Sequence, residues 1–483
     1  MALELTPTSK VGGGARTLRN TGLIVAAQII SQLITLLTVM IMNRHLNPSQ
    51  FGLYSFVVTT SGLVTVLIDF GFNNLFQRQG ARHPNQISRY LSNLVSVRIL
   101  FAVPALVVFA VVLQLSGVEQ YLAAGFTLML LTSYSQLLRN SLYAVQRLNY
   151  EVVAIIAETV FLVLVVAVGA LHGAGPGYYI WAYAAPRGLD CIYFAVVLHA
   201  TRIARIGWRM EWPLIREWFW QGLPLALTFI ITGIYFKIDV LILGRIRGFD
   251  ETGLYTSGYK LFESLLFLPQ SMFSVIFPVL GRMYQQRERG VEQAVTRFAK
   301  ALCLLGWPLT VGGFLLAPGF RFVYNYAGSE PALRILSLGI IFMFLNNAFI
   351  VALNAIDRQS SFTWAAFWSM LINVALNLML IPLFGYIGAS WATVLTEVAL
   401  AILGWVLTAR HLTRLPLWHL TWKTLLAGLI MGAALIPFRD VSGPLLMLVI
   451  AGGAVIYALG LLALKALDDE EWGLLRQALR INR

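Results

Sequence analysis

Lys260 and Glu263 stand three residues apart in YKLFESLLFLPQSM, and Arg187 and Asp190 three apart in YAAPRGLDCIYF, both inside otherwise apolar sequence. Lys237 and Asp239 lie close together in IYFKIDVLIL in the same way. At a three-residue spacing on a helix two side chains share one face. Such pairs are either self-neutralised struts between helices or the charged lining of a site. Arg98 and Arg139 are further bases in apolar segments, while Asp69, Glu158 and Glu397 are carboxylates with no base on their own segment. Bases in such places suit phosphate and other anions. A carboxylate there can carry a coupling proton or cation, or can pair with Arg98 or Arg187 from another helix. Gln28 and Gln32 share one helical face, as do Asn373 and Asn377, and both sets could hydrogen-bond sugar hydroxyls or join helices. The two cysteines, Cys191 and Cys303, both fall in apolar segments. They support neither a disulfide framework nor a metal centre, and no cofactor is expected.

Residues of this kind need elements that carry them through an apolar medium. The 483 residues are 58% hydrophobic and 12% charged, with a mean hydropathy of +0.74, more than a soluble surface carries. A spanning helix takes roughly 20 mostly apolar residues. About fourteen such stretches begin near Gly22, Leu53, Ile87, Tyr121, Val152, Tyr178, Gly222, Leu254, Val295, Ile335, Phe362, Ile387, Thr424 and Pro444. None alternates with a period of two as a barrel strand does, so the fold class is an all-α polytopic membrane protein. Arg98 and Arg187 then fall near the middle of spans three and six, and Lys237 and Lys260 in the outer halves of spans seven and eight. Arg139, Arg297 and Lys300 lie near span ends, where a long side chain can snorkel to water.

A formal net charge of +13 would suggest nucleic acid in a soluble protein, but its distribution excludes that partner. Of the 35 Lys and Arg, 22 fall on one side of the fourteen-span topology, 6 on the other, and seven in the spans. This is the positive-inside pattern, and it puts both termini in the cytoplasm. The first apolar stretch is too long for a signal-peptide core and lacks a small-residue cleavage pattern, so it reads as a retained span.

The chain also repeats itself. RHLNPSQFGLYSF at 44–56 and RIRGFDETGLYTS at 245–257 share Arg, Gly, Leu and Tyr at an offset of 201. SRYLSN at 88 and TRFAKA at 296, then YAVQR at 143 and NAIDR at 354, follow in the same order at offsets of 208 and 211. Six spans separate the copies, so two six-helix bundles run in parallel, an architecture that transporters use with the substrate held between the halves. The expected organisation is a first lobe over 1–200, a cytoplasmic interfacial linker over 201–221, a second lobe over 222–412, two additional spans over 413–467 and a cytoplasmic tail over 468–483. The linker sets Trp208, Trp212, Trp218 and Trp220 among Arg202, Arg205, Arg209 and Arg216, a composition for the headgroup layer that suits either a gating element or a plain anchor. In the repeat, Gly52 and Gly253 are expected to ease an outer turn, and Tyr54 and Tyr255 to sit at the interface.

The stretches LRNTGLIVAAQIISQLITLLTVMIMNRHLNPSQFGLYSF, YKLFESLLFLPQSMFSVIFPVLGRM and GYIGASWATVLTE resemble the polysaccharide-biosynthesis flippases of the multidrug/oligosaccharidyl-lipid/polysaccharide exporter superfamily, over nearly the whole chain. The resemblance implies two six-helix lobes in a V around a central cavity, plus two further C-terminal helices. It implies translocation of an undecaprenyl-diphosphate-linked oligosaccharide from the cytoplasmic to the periplasmic leaflet of a bacterial inner membrane. It also implies that spans one, two, seven and eight line the cavity, which favours Asp69, Lys237, Asp239, Lys260 and Glu263. On this reading Arg98, Arg139, Arg187, Lys237 and Lys260 hold the diphosphate, and Gln28, Gln32 and Asn373 the glycan. Asp69, Glu158, Asp239, Glu263 and Glu397 take a coupling proton or sodium ion, or pair with the bases. Bilayer lipids and a polysaccharide polymerase or export machinery are the expected partners. Two other functions compete. A cation-coupled multidrug exporter calls for a carboxylate deep in the first lobe and few bases, whereas span one has no acid. A membrane glycosyltransferase or polymerase needs a loop of convergent acids or histidines; the loops are short, only His45 and His172 face the outer side, and no catalytic residue is expected.

Overall fold

The computed structural model describes residues 12–147, 149–286 and 290–467, with side chains from Ala27 onward; the expected tail at 468–483 lies outside the described residues. Among these residues the regular structure is helical, with no strand. In hydrocarbon each backbone N–H and C=O must find its partner inside the segment, which long apolar helices achieve. Contacts divide the chain into two units, one made of the residues up to Met42 and of Val57–Ile230, the other of Asn43–Phe56 and the residues from Ile231 on.

The helices run α1 (Gly12–His45), α2 (Pro48–Asp69), α3 (Phe72–Arg82), α4 (Ile87–Leu115), α5 (Leu122–Ala144), α6 (Asn149–Leu171), α7 (Pro176–Ala200) and α8 (Trp212–Ile246). They continue as α9 (Phe249–Ser264), α10 (Phe267–Gln285), α11 (Val291–Leu316), α12 (Arg321–Tyr324), α13 (Glu330–Ala355), α14 (Gln359–His411), α15 (Leu417–Leu435) and α16 (Leu445–Ala463). Pro48 and Pro176 each open a helix, where the missing N–H costs nothing. Among the described residues, twelve stretches are long and apolar enough to cross a membrane. Two features account for the difference from fourteen. Helix α14 contains expected spans eleven and twelve, separated at Gly385, whose φ of 58° and ψ of −136° are not helical; Glu251 Oε2 accepts the Tyr386 N–H there at 2.8 Å, capping the second half. Helix α7, the expected span six, has 25 residues but is not among the twelve, and it carries Arg187 and Asp190.

In the first unit Phe72, Phe76, Leu91, Leu137 and Phe194 are fully buried and form one core. The segment 204–211 has no regular structure, yet it is fixed along α4. The Arg205 N–H donates to Ser88 Oγ (3.0 Å), that of Arg209 to Ser96 Oγ (3.0 Å) and that of Glu211 to Asn93 Oδ1 (2.7 Å). Arg89 Nε closes the strap by donating to Glu211 Oε2 at 2.8 Å. Ser88, Ser92 and Ser96 recur every four residues, so one face of α4 offers a row of hydroxyls to an extended backbone. Trp218, beyond the strap, is buried against Tyr90, while Trp208 within it and Trp212 and Trp220 after it are exposed.

In the second unit α11, α13 and α14 enclose Leu302, Leu336, Phe344 and Phe349, and α15 docks on α11 with Gly432 against Val311 and Leu315. The repeated Gly-Leu-Tyr stretches meet here, because 43–56 belongs to this unit. A Cβ on Gly52 would collide with the Phe249 carbonyl, and one on Gly253 with the Pro48 carbonyl. The two glycines therefore lie inside α2 and α9, each the fifth residue of its helix, and let those backbones touch, as small residues do between membrane helices. The expectation that they ease a turn is corrected accordingly. Tyr54 and Tyr255 are buried rather than interfacial, and the Tyr255 hydroxyl donates to Asp239.

Candidate functional site

The charges found in the sequence gather into four clusters, two per unit. In the first unit Arg98 is completely buried, at 3.1 Å from Asp69. Its guanidinium also donates to Asn73 Oδ1 at 2.7 Å and to the Ser133 carbonyl, while Ser133 Oγ donates to Asp69 at 2.6 Å. Arg98 is thus enclosed, with both terminal nitrogens bonded and its Nε without a hydrogen-bond partner among the described residues. Its burial matches the alternative, a pair with a carboxylate from another helix.

The second cluster joins α5, α6 and α7. Arg139 lies 2.8 Å from Asp190, 3.2 Å from Glu158 and 3.4 Å from Glu151, and its guanidinium covers the Phe194 ring. Arg187 is 2.5 Å from Glu158 and only 3.8 Å from Asp190, its neighbour three residues on. Two bases meet three carboxylates. Arg139 does not snorkel, and neither arginine is offered uncompensated to an anion. Glu151 went unnoticed in the sequence because it precedes the apolar run; its seven-residue spacing to Glu158, two helical turns, was the available signal. Gln28 is exposed on α1 and Gln32 half-buried, beside a Ser31–Thr159 hydroxyl bond of 2.8 Å.

The second unit reverses the balance. Glu263 receives Lys237 Nζ at 2.5 Å on one oxygen and Lys260 Nζ at 2.9 Å on the other. Two ammonium groups share one carboxylate, all three partly open to solvent at 27%, 39% and 28%, and Lys237 lies 5.1 Å over the Tyr259 ring. Lys237 therefore pairs with Glu263 and not with its sequence neighbour Asp239. Asp239 turns inward, accepting from Tyr255 and from the Val240 N–H at 2.8 Å. Glu397 accepts from Tyr235 (3.0 Å) and Asn346 Nδ2 (2.7 Å). Neither carboxylate has an ion-pair partner among the described residues. They face a cavity of about 10 Å³, room for one water or small ion, lined also by Asn373, Thr393 and Thr396. Asn373 is bonded to Thr396 (3.2 Å) and Asn377 (3.0 Å), in a space too small for a sugar.

Both clusters nearest a helix break sit where the sequence stops the helix. After Asp69, Phe70 and Gly71 take positive φ values of 41° and 72°, ending α2 before α3. After Glu263, α9 stops at Ser264 and α10 restarts at Phe267; Pro269 has no N–H for the Leu265 carbonyl, which accepts from Leu268 at 3.2 Å instead. These are the second spans of the two sequence repeats. Interrupted helices at corresponding positions of two halves are the best sequence pointer to a transporter's binding site, because freed backbone is tolerated only beside protein or a wet cavity.

A family model described as polysaccharide biosynthesis protein matches residues 17–284, and one described as lipid II flippase MurJ matches residues 253–448. An uncharacterized membrane protein of Methanocaldococcus jannaschii, MJ1068, is 26% identical over 53% of this chain and 52% of its own length, so the chain spans about half of it. The probable low-salt glycan biosynthesis flippase Agl15 of Haloferax volcanii is 22% identical over 83% of this chain and 85% of its own. Among solved structures, lipid II flippase MurJ in an inward closed conformation has a TM-score of 0.70 at 14% identity, over 91% of this chain and 97% of that one. An inward-facing multidrug resistance MATE family transporter of the MOP superfamily has a TM-score of 0.64 at 14% identity, over 84% and 95%. These two likenesses show a common fold.

Proposed function

We infer that this chain, which belongs to the polysaccharide biosynthesis protein family, is a flippase that carries a lipid-linked oligosaccharide across the bilayer by alternating access. The observation that supports it most is the pair Lys237 and Lys260 held on Glu263 beside the break in span eight. A diphosphate offers several anionic oxygens to ammonium donors. On binding, it takes over the two lysines from Glu263, so the cluster exchanges one carboxylate for a ligand of higher charge, and the glycan and lipid tail need no buried charge of their own. The relatives described as flippases agree with this reading, and the undecaprenyl carrier and inner-to-outer direction follow from the family resemblance. Asp239 and Glu397 are the proposed carriers of a coupling proton or sodium ion, since neutral donors surround them and a one-ion cavity adjoins them.

Fluorescent lipid-linked oligosaccharide in proteoliposomes tests the proposal. Lys237→Gln and Lys260→Gln should each slow flipping by roughly tenfold or more, the loss of one charge-assisted contact. Rates equal to wild type in both variants would sink it. The multidrug reading keeps one observation in its favour, the excess of acid over base around Arg139 and Arg187; drug susceptibility of a deletion strain tests it separately.

A further inference from the structure

The sugars of a lipid-linked oligosaccharide present neutral hydroxyls and C–H faces, and α10, the second half of span eight, offers a surface matched to both. One side of α10 packs Leu268, Met272, Phe273 and Ile276 into the core of the second unit. Two rows of exposed residues run along the other side, Gln270, Ser274 and Pro278 in one and Val275 and Val279 in the next, about 100° further round the helix. The apolar row suits lipid and the polar row suits water. The backbone agrees, because Pro278 has no N–H for the Ser274 carbonyl, and a carbonyl freed at membrane depth is tolerated only against protein or in a wet cavity. Ser274 Oγ donates to the Ser271 carbonyl at 2.7 Å, which leaves its lone pairs as acceptors. On the other flank of the polar row Phe273 and Phe277 are stacked, with centroids 5.3 Å apart and planes at 12°. Gly281 continues that row, and a Cβ on it would meet nothing within 4 Å among the described residues. No charged residue stands in the sequence between Glu263 and Arg282.

We propose that Gln270, Ser274 and Phe277 form a subsite for an uncharged pyranose of the glycan, an assignment that rests on the reading of Lys237 and Lys260 as the diphosphate site. A pyranose carries its hydroxyls around the ring edge and axial C–H bonds on its faces. The negative face of the Phe277 ring attracts those C–H bonds. The Gln270 amide both donates to and accepts from hydroxyls, and the Ser274 hydroxyl and carbonyl accept from them. Gln270 follows Glu263 by seven residues, about 10 Å of helix rise, a separation that the first sugars after the diphosphate span. An acidic sugar finds no base on α10 before Arg282, so this stretch selects by neutral hydrogen bonds and stacking.

The test is isothermal titration of the full-length protein in detergent with two ligands of one lipid chain, polyprenyl diphosphate without sugar and the same diphosphate bearing a neutral oligosaccharide. Wild type should bind the oligosaccharide form more tightly. Gln270→Leu and Phe277→Leu should each weaken that form roughly fivefold, the loss of one hydrogen bond or one stacking contact, and leave the affinity for the bare diphosphate unchanged. Lys260→Gln should weaken both ligands. If Phe277→Leu loses its cooperative melting transition, Gln270→Leu, on the exposed row, carries the comparison. Equal binding of the two ligands by wild type, or an unchanged oligosaccharide affinity in the α10 variants, overturns the subsite. An equal loss for the two ligands overturns it as well, because it marks a structural role. If Lys260→Gln binds both ligands as wild type does while Gln270→Leu loses only the oligosaccharide form, the diphosphate reading falls and the sugar subsite on α10 stands.

Discussion

Arg98 is the largest of the fully buried side chains, and its energetics differ from those of the lysines although all are bases in spans. A buried charge is tolerable only when paired and bonded, and Asp69, Asn73 and Ser133 supply that shell around its terminal nitrogens, while Nε has no hydrogen-bond partner among the described residues. Removing one partner strands the other, at a cost of about 3–5 kcal/mol, whereas replacing both with neutral groups of similar volume is close to neutral. Arg98→Met or Asp69→Asn alone should therefore lower the melting temperature or the yield of folded protein. The double variant should recover most of the loss and flip substrate at near the wild-type rate. A double variant that melts normally and flips nothing would instead make Arg98 a substrate ligand. The sequence made these charges visible because each stands alone in an apolar run. It made Lys260–Glu263 legible as a pair because both partners lie on one helix. It could not choose among Asp69, Glu158 and Glu397 as partners for Arg98 and Arg187, since that choice depends on which helices touch. Tyr235, Tyr255 and Asn346 were hidden for the same reason: on their own segments they read as ordinary span residues.

Helices were legible from the composition; their interruptions were less so. Fourteen apolar runs correspond to the helices closely because each is long enough to span and is separated by polar or glycine-containing turns. The breaks after Asp69 and Glu263 left weaker marks, a glycine at 71 and a proline at 269. The strap at 204–211 left half of its mark. Its Trp and Arg content indicates a membrane surface, yet what fixes its backbone is a row of small polar residues on α4, far away in sequence. The Arg89 hydrogen bond holds the Glu211 carboxyl below its ordinary value of 4.5. A carboxyl whose folded value is depressed stabilises above its unfolded value and loses that contribution as the pH falls through the folded one. Protection of the amides of Arg205, Arg209 and Glu211 from hydrogen exchange, corrected for intrinsic rates, should thus be level from about pH 8 to about pH 5 and decline only at more acidic values. In Glu211→Gln it should be lower than wild type at neutral pH and nearly flat with pH. Protection that declines already near neutrality would point to a different titrating group.

Across the whole molecule, the two units dispose of charge in opposite ways. The first mixes three acids with two bases in one network, so each charge is spent on a neighbour. The second segregates them, with two lysines on one glutamate in one place and two carboxylates among neutral donors in another. Segregated charge leaves room for an anionic ligand and a cation at once. Lys237 and Asp239, two residues apart on α8, face these two places, and Tyr259 lies under the Lys237 ammonium while lining the small cavity with Asp239 and Glu397. A transport cycle requires that one ligand alter the affinity for the other, and such coupling is reciprocal, typically about 5- to 150-fold. If the proposed function holds, raising sodium or lowering pH should change the wild-type affinity for lipid-linked oligosaccharide within that range, and the substrate should shift cation affinity by the same factor. Asp239→Asn and Glu397→Gln should abolish the dependence and keep measurable substrate binding, because the lysines remain. Isothermal titration in detergent, run with and without sodium at two pH values, measures both directions. An oligosaccharide affinity in wild type that ignores both cations would remove the coupling role from these carboxylates and return them to the status of buried, hydrogen-bonded struts, Asp239 between α8 and α9 and Glu397 between α8, α13 and α14.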